Sequence, residues 1–231
     1  LGGTWDLAAG DTLRLRAQLE RTSGNLRLQA DDDGSGLMSA GVREARISLS
    51  ADGPDLSASM RWDSERAGQV NGSFKSRLQR QGDGWAWPED TPVTGSVRAR
   101  MPRLGVWSAL APPGWRLRGT LDANATLGGT RGAPQWRGTL QADELAVRSV
   151  VDGIEFRQGK LRASLDGQRL DIQEFSLQGA SGAAAGGGLL TVKGFVLWPP
   201  ADGASASGPM GLRMELNARA DGLRVSARAD R

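Results

Sequence analysis

Along the whole chain, small or apolar residues recur at every second position, in runs that end at Gly- or Asp-rich breaks. The clearest run sets Trp115, Leu117, Gly119, Leu121, Ala123, Ala125 and Leu127 against Arg116, Arg118, Thr120, Asp122, Asn124 and Thr126. A strand turns successive side chains to opposite faces, so this run has one apolar and one polar face. No sustained helical pattern is long enough to supply a covering layer. The apolar faces must then be buried by more sheet, by lipid or by a partner. The expected class is all-β, a long antiparallel-rich sheet.

Strands are expected over Thr12–Leu19, Asn25–Ala30, Arg43–Ala51, Leu56–Trp62, Val70–Leu78 and Val93–Met101. Asp52-Gly53-Pro54 reads as a turn, since Asp and Gly tolerate left-handed backbone and Pro cannot continue a ladder. Gln81–Thr91 reads as a loop. Between Pro102 and Gly114, Leu104, Trp107, Leu110 and Ala111 have helical spacing, which predicts one short helix near residues 103–111. Further strands follow at Trp115–Leu127, Gln135–Ala142, Leu145–Val150, Gly153–Phe156, Lys160–Asp166, Arg169–Ile172, Glu174–Gly179, Leu189–Trp198, Leu212–Ala220 and Leu223–Ala229. Asp166-Gly167 between two alternating runs predicts a hairpin. The organisation is then a first sheet segment (1–101), a helical linker (102–114), a second sheet segment (115–198), a Pro/Gly/Ser/Ala loop (199–209) and continuing strands (210–231). Alternation persists to the C-terminal residues, so the chain reads as a segment of one longer β-structure.

Composition narrows the chemistry. The chain has no Cys, His or Tyr, which removes disulfides, the usual zinc ligands and every imidazole acid or base. No catalytic residue, metal or cofactor is expected. The carboxylate neighbours Asp143–Glu144 and Glu89–Asp90 read as solvated strand ends and turns. Asp31-Asp32-Asp33-Gly34-Ser35-Gly36 lacks the ligand spacing of a calcium loop, and Gly179–Gly188 lacks the Lys-Ser/Thr of a phosphate loop. The basic residues stand singly among acidic ones, which argues against nucleic acid despite a pI near 10.1. No apolar stretch is long enough for a transmembrane helix.

The segment Pro102–Trp198 resembles the TamB family, the large component of the translocation and assembly module, among the AsmA-like repeating-β-groove proteins. The resemblance is carried by Leu104-Gly105-Val106-Trp107, Leu117-Arg118-Gly119-Thr120-Leu121-Asp122-Ala123, Leu127-Gly128-Gly129-Thr130 and Ala133-Pro134-Gln135-Trp136-Arg137-Gly138. Gly153-Ile154, Gly159-Lys160-Leu161 and Leu189-Leu190-Thr191-Val192-Lys193-Gly194 continue it in the family's order. The resemblance implies a sheet curled into a taco-shaped trough in the periplasm, anchored to the inner membrane in the full-length protein. It also implies phospholipid acyl chains in the trough, a TamA-like Omp85-type outer-membrane barrel as partner, and outer-membrane protein clients.

Alternation places Leu117, Leu121, Leu127, Leu140, Leu161, Leu165, Leu170, Ile172, Phe175 and Leu177 on the expected lipid-lining face. Small residues such as Gly119, Ala123, Gly138 and Ala142 are expected to leave room there for acyl chains. About fourteen strands at roughly 4.8 Å would build about 65 Å of trough. Two other readings compete: a structural sandwich or solenoid spacer, and a surface whose strand edges template client strands.

Overall fold

A computed structural model describes residues 2–10, 12–24, 27–29, 37–112, 114–149, 151–180, 187–198 and 212–223. The strands are β1 (Gly2–Ala8), β2 (Arg14–Glu20), β3 (Arg27–Gln29), β4 (Leu37–Ser39), β5 (Val42–Asp52), β6 (Asp55–Ser64), β7 (Gly68–Arg77) and β8 (Gln79–Gln81). They continue with β9 (Gly84–Ala86), β10 (Thr94–Met101), β11 (Trp115–Gly129), β12 (Pro134–Ser149), β13 (Ile154–Gly167), β14 (Arg169–Gly179), β15 (Leu189–Leu197) and β16 (Arg213–Asp221). One 3-10 helix spans Leu104–Leu110. The chain is all-β, and among the described residues no helical layer covers a sheet face.

Twelve strands form one sheet in the order β1-β2-β5-β6-β7-β10-β11-β12-β13-β14-β15-β16. Each neighbour is antiparallel and follows in chain order, with β3–β4 and β8–β9 as small two-stranded excursions. At ordinary strand spacing the twelve span roughly 53 Å. The expected turns form as the residues dictate. Gly53 (φ 54°) joins β5 to β6, and Gly167 (φ 64°) joins β13 to β14.

Three pairs of expected short strands are each one long strand. Gln135–Ala142 and residues 145–149 lie within β12, residues 154–156 and Lys160–Asp166 within β13, and Arg169–Ile172 and Glu174–Gly179 within β14; Gly153 is in the preceding turn and Val150 lies outside the described residues. The apparent breaks are register shifts at Ala142/Leu145, Arg157/Lys160 and Ile172/Phe175. An extra residue at such a bulge moves the following side chains by one position. The sequence alternation slips by one at the same points, so apolar residues keep to one face. Glu144 (φ 53°) and Gln158 (φ 51°) take the left-handed backbone that two of these bulges need.

Two further differences concern short elements. β1 is a strand that sequence patterning leaves unassigned, and the stretch Gln81–Thr91 contains β9 and the end of β8. The loops expected at 31–36 and 199–209 lie outside the described residues, as do 181–186 of the glycine-rich run and all but Leu223 of the last expected strand.

Burial follows from a sheet without a second layer. Among the described residues the buried apolar side chains are Ala40, Val42, Ala51, Ala67, Val93, Ala142, Ala163, Leu177 and Ala180, so only one of these is larger than valine. Among the described residues the largest fully buried side chains are Thr91 and Ser149. Accessible surface totals 14979 Å², against about 10,000 Å² for a compact chain of this size. Its large apolar groups are half-buried in the middle strands and exposed toward the ends, not packed in a closed core.

Candidate functional site

Residues paired directly across an antiparallel ladder share a face of the sheet, so the registers define what each face presents. Trp5 lies opposite Ala17, Ala17 opposite Leu49, Leu49 opposite Ala58 and Ala58 opposite Phe74. The same row continues through Gly95, Leu127, Trp136 and Gly167. A second row runs Met101, Leu121, Ala142, Leu161, Phe175, Val192 and Ala218. Among the described residues these ladders place no charged side chain on that face, from β1 to β16.

All ten residues expected to line it fall on this face. Leu121 and Leu161 belong to the row just given, with Phe175, and Leu127 belongs to the first. Leu140 faces Ala123 and Ala163, and Ala163 faces Ile172. Leu165 pairs with Gly138 and Leu170, Leu177 pairs with Leu190, and Leu117 pairs with Val147 beyond the bulge. Half of the face is missing from that set. Leu15, Leu19, Ile47, Met60, Trp62, Phe74 and Val97 extend it toward β1, carried by the same alternation in shorter strands.

One expected property fails at Gly138. A Cβ there would lie 2.1 Å from the Asn124 carbonyl oxygen and 2.6 Å from Ala125 Cα. Gly138 therefore lets the β11 backbone close in and does not leave space for a ligand. Gly119 has a related role. Its φ is 120°, and a Cβ there would lie 2.7 Å from the Asp143 carbonyl oxygen, so glycine accommodates the β12 bulge.

Exposure of the apolar face varies along the sheet. Trp5 is 80% exposed and Met214 65% exposed at the two ends, whereas Leu177 in the interior is 8% exposed. An open depression of about 310 Å³ lies on β1, β2 and β5 among Gly3, Trp5, Ala17, Leu19, Ile47 and Leu49, beside Thr4 and Gln18. Over the middle strands, two connections fold onto the face. The 3-10 helix brings the Trp107 ring within 5.8 Å of Trp62, and Trp107 Nε1 donates to the Ala67 carbonyl at 3.3 Å. Ser108 Oγ accepts from the Leu117 amide at 2.8 Å and fixes the helix against β11. Near the other strand ends, Trp87 packs edge-on against Phe74 at 5.9 Å, and its Nε1 donates to Ser76 Oγ at 2.8 Å. The Nε1 groups of Trp62 and Trp85 are buried without a partner.

The opposite face is polar and ion-paired. Arg43 meets Asp63 at 2.8 Å, Arg46 meets Glu20 at 3.1 Å, Arg100 meets Asp122 at 3.4 Å, and Arg162 meets Asp143 at 2.6 Å. The Arg43 hydrogen bond holds the Asp63 carboxyl below its ordinary range. Phe195 is an apolar exception there, covered by the Arg169 guanidinium 3.8 Å from its ring centre. Asp143 is thus engaged by Arg162, and its neighbour Glu144 projects from the bulge into solvent. Glu89 pairs with Arg131 at 3.6 Å and Asp90 is exposed. Among the described residues no three Asp or Glu groups gather as a metal site.

These features define an all-β protein with one uninterrupted apolar sheet face and one ion-paired face. No family model, curated protein or solved structure matches the chain.

Proposed function

We propose that the apolar face holds phospholipid acyl chains, in a TamB-like periplasmic protein that moves lipid toward the outer membrane and supports outer-membrane protein assembly. The observation that carries this reading is the apolar face that, among the described residues, crosses all twelve strands without a charged side chain or a second layer over it. Curling of the sheet around the chains would complete their burial. Each methylene moved from water onto the face contributes about 0.8 kcal/mol. Equivalent apolar positions recur on every strand, so a chain can shift from one row to the next without crossing a charged group. Headgroups would remain at the open side. In the full-length protein, an inner-membrane anchor and an Omp85-type barrel would mark the two ends of the path.

Among the described residues β1 and β16 each have one sheet neighbour, which supports a second reading, in which client strands pair with an edge. The two readings separate by fluorescence. Phospholipid brominated in its acyl chains should quench the tryptophans of the apolar face, which include Trp5, Trp62 and Trp136. Leu140→Arg should reduce that quenching, while Thr139→Arg, one residue away on the polar face, should leave it intact. Equal quenching in the folded Leu140→Arg protein contradicts the lipid reading.

A further inference from the structure

Gly72 is a glycine that the sheet itself does not require. Its backbone is not left-handed, and both ladders of β7 run through it without a register shift. A Cβ built on it would meet Met60 Cβ at 3.7 Å, Met60 Cε at 3.8 Å and the Ser96 carbonyl oxygen at 3.8 Å, all ordinary van der Waals separations. Gly95 and Gly138 on the same face differ, because a Cβ on them would lie 2.6 Å from the Ser73 carbonyl oxygen and 2.1 Å from the Asn124 carbonyl oxygen. Glycine inside a strand costs stability relative to alanine, and with no bulge, turn or crowding backbone to require it, the reason that remains is close approach of a ligand.

The surroundings of Gly72 form a passage one side chain wide. On β7 its apolar-face neighbours are Val70 and Phe74, roughly 13 Å apart along the strand. Val70 lies opposite Trp62, on which the 3-10 helix sets Trp107, and Phe74 is covered edge-on by Trp87. Each covering tryptophan is tied by its Nε1, Trp107 to the Ala67 carbonyl and Trp87 to Ser76 Oγ. The two aromatic pairs therefore stand as fixed walls on either side of the glycine. Across the strands, the row through it runs Ile47, Met60, Gly72, Val97 and Ala125, with no charge. Met60 lies beside the glycine and is 38% exposed, and an unbranched methionine re-packs readily. We propose that Gly72 floors a constriction of the apolar face that admits one acyl chain in single file, lying across β5 to β11 between the Trp62–Trp107 and Phe74–Trp87 walls. Met60 moves aside as the chain enters. This rests on the acyl-chain reading and adds to it where a chain is confined and which position limits it.

The test is photolabelling of the full chain by phosphatidylcholine vesicles that carry a diazirine in one acyl chain, read on tryptic peptides, with folding checked by circular dichroism. Residues 67–75 and 138–148 are separate peptides, the first holding Gly72 and the second Leu140. Both should be labelled in the wild type. Gly72→Leu excludes about two methylenes from the passage, so labelling of 67–75 should fall about tenfold. Gly72→Ala and Gly72→Val should lower it in smaller steps, in that order. Labelling of 138–148 should persist in all three, and Asn71→Leu on the polar face should leave both peptides unchanged. In urea denaturation Gly72→Ala should be at least as stable as the wild type, unlike Gly138→Ala. Wild-type labelling of 138–148 without 67–75 leaves the acyl-chain reading standing and overturns the constriction. Equal labelling of 67–75 in the wild type and in folded Gly72→Leu overturns it as well, and so does a loss of stability in Gly72→Ala, which would make the glycine a packing requirement. Labelling of neither peptide contradicts the acyl-chain reading itself, and the constriction with it.

Discussion

Strands β11 and β12 are 15 and 16 residues long, whereas β1 and β2 have 7 each, yet both regions present the same kind of apolar face. In the long strands that face is half-buried and kept in phase by bulges. In the short strands it is open, and Trp5 and Leu7 are 80% and 54% exposed. Among the described residues neither region has a second layer above it. The difference shows that burial here depends on lateral neighbours, close backbone approach and the connections that fold over the middle strands. A ligand meeting the sheet at β1 finds apolar surface already bare, while the interior strands carry more of the stability.

The sharpest way to break that comparison is to put a long strand out of phase. Deleting Thr139, in the regular part of β12, should turn Trp136 and Gly138 to the face opposite Leu140 and Ala142, since a one-residue shift reverses every side chain beyond it. The expected result is loss of cooperative unfolding in urea, whereas deleting Gly10, outside the strands, should preserve it. Next in size is the glycine pair. Gly138→Ala should cost about 2–4 kcal/mol in urea denaturation because the β11 backbone occupies the new atom's place. Gly128→Ala, where nothing lies within 4 Å, should change stability by less than about 0.5 kcal/mol.

Truncations sharpen the contrast between interior and edge. Leu177→Ala should cost about 2–3 kcal/mol at a site 8% exposed, and Leu7→Ala under about 1 kcal/mol at one 54% exposed. Equal costs would mean that the edge is covered in solution. The smallest effect concerns the polar face. Arg43 lowers the Asp63 pKa, so this pair contributes stability above the ordinary carboxylate pKa and loses it as pH falls through the depressed value. Arg43→Ala should return Asp63 toward its ordinary pKa in an NMR titration.

Alternation alone made the sheet legible, together with the common face shared by the apolar residues from Leu117 to Leu177. The same rule misread the bulges, because a slip in alternation at Ala142/Leu145 or Ile172/Phe175 looks like a strand end when the partner strand is unknown. It passed over β1, whose apolar residues Trp5 and Leu7 form too short a run. It also read Gly138 as vacant space, since the approach of Asn124 and Ala125 is set by strand pairing and not by neighbours in sequence. The aromatic contacts Trp62–Trp107 and Phe74–Trp87 join residues 45 and 13 positions apart, a kind of information that local patterning does not hold.

The central claim is that the uninterrupted apolar face binds acyl chains. Native mass spectrometry of the folded, purified chain, followed by extraction and identification of bound lipid, tests it most directly. The account predicts phospholipid bound to wild type and to Thr139→Arg, and depleted from Leu140→Arg. A folded chain with its apolar face accessible and no phospholipid bound, or lipid retained equally by all three proteins, would contradict it.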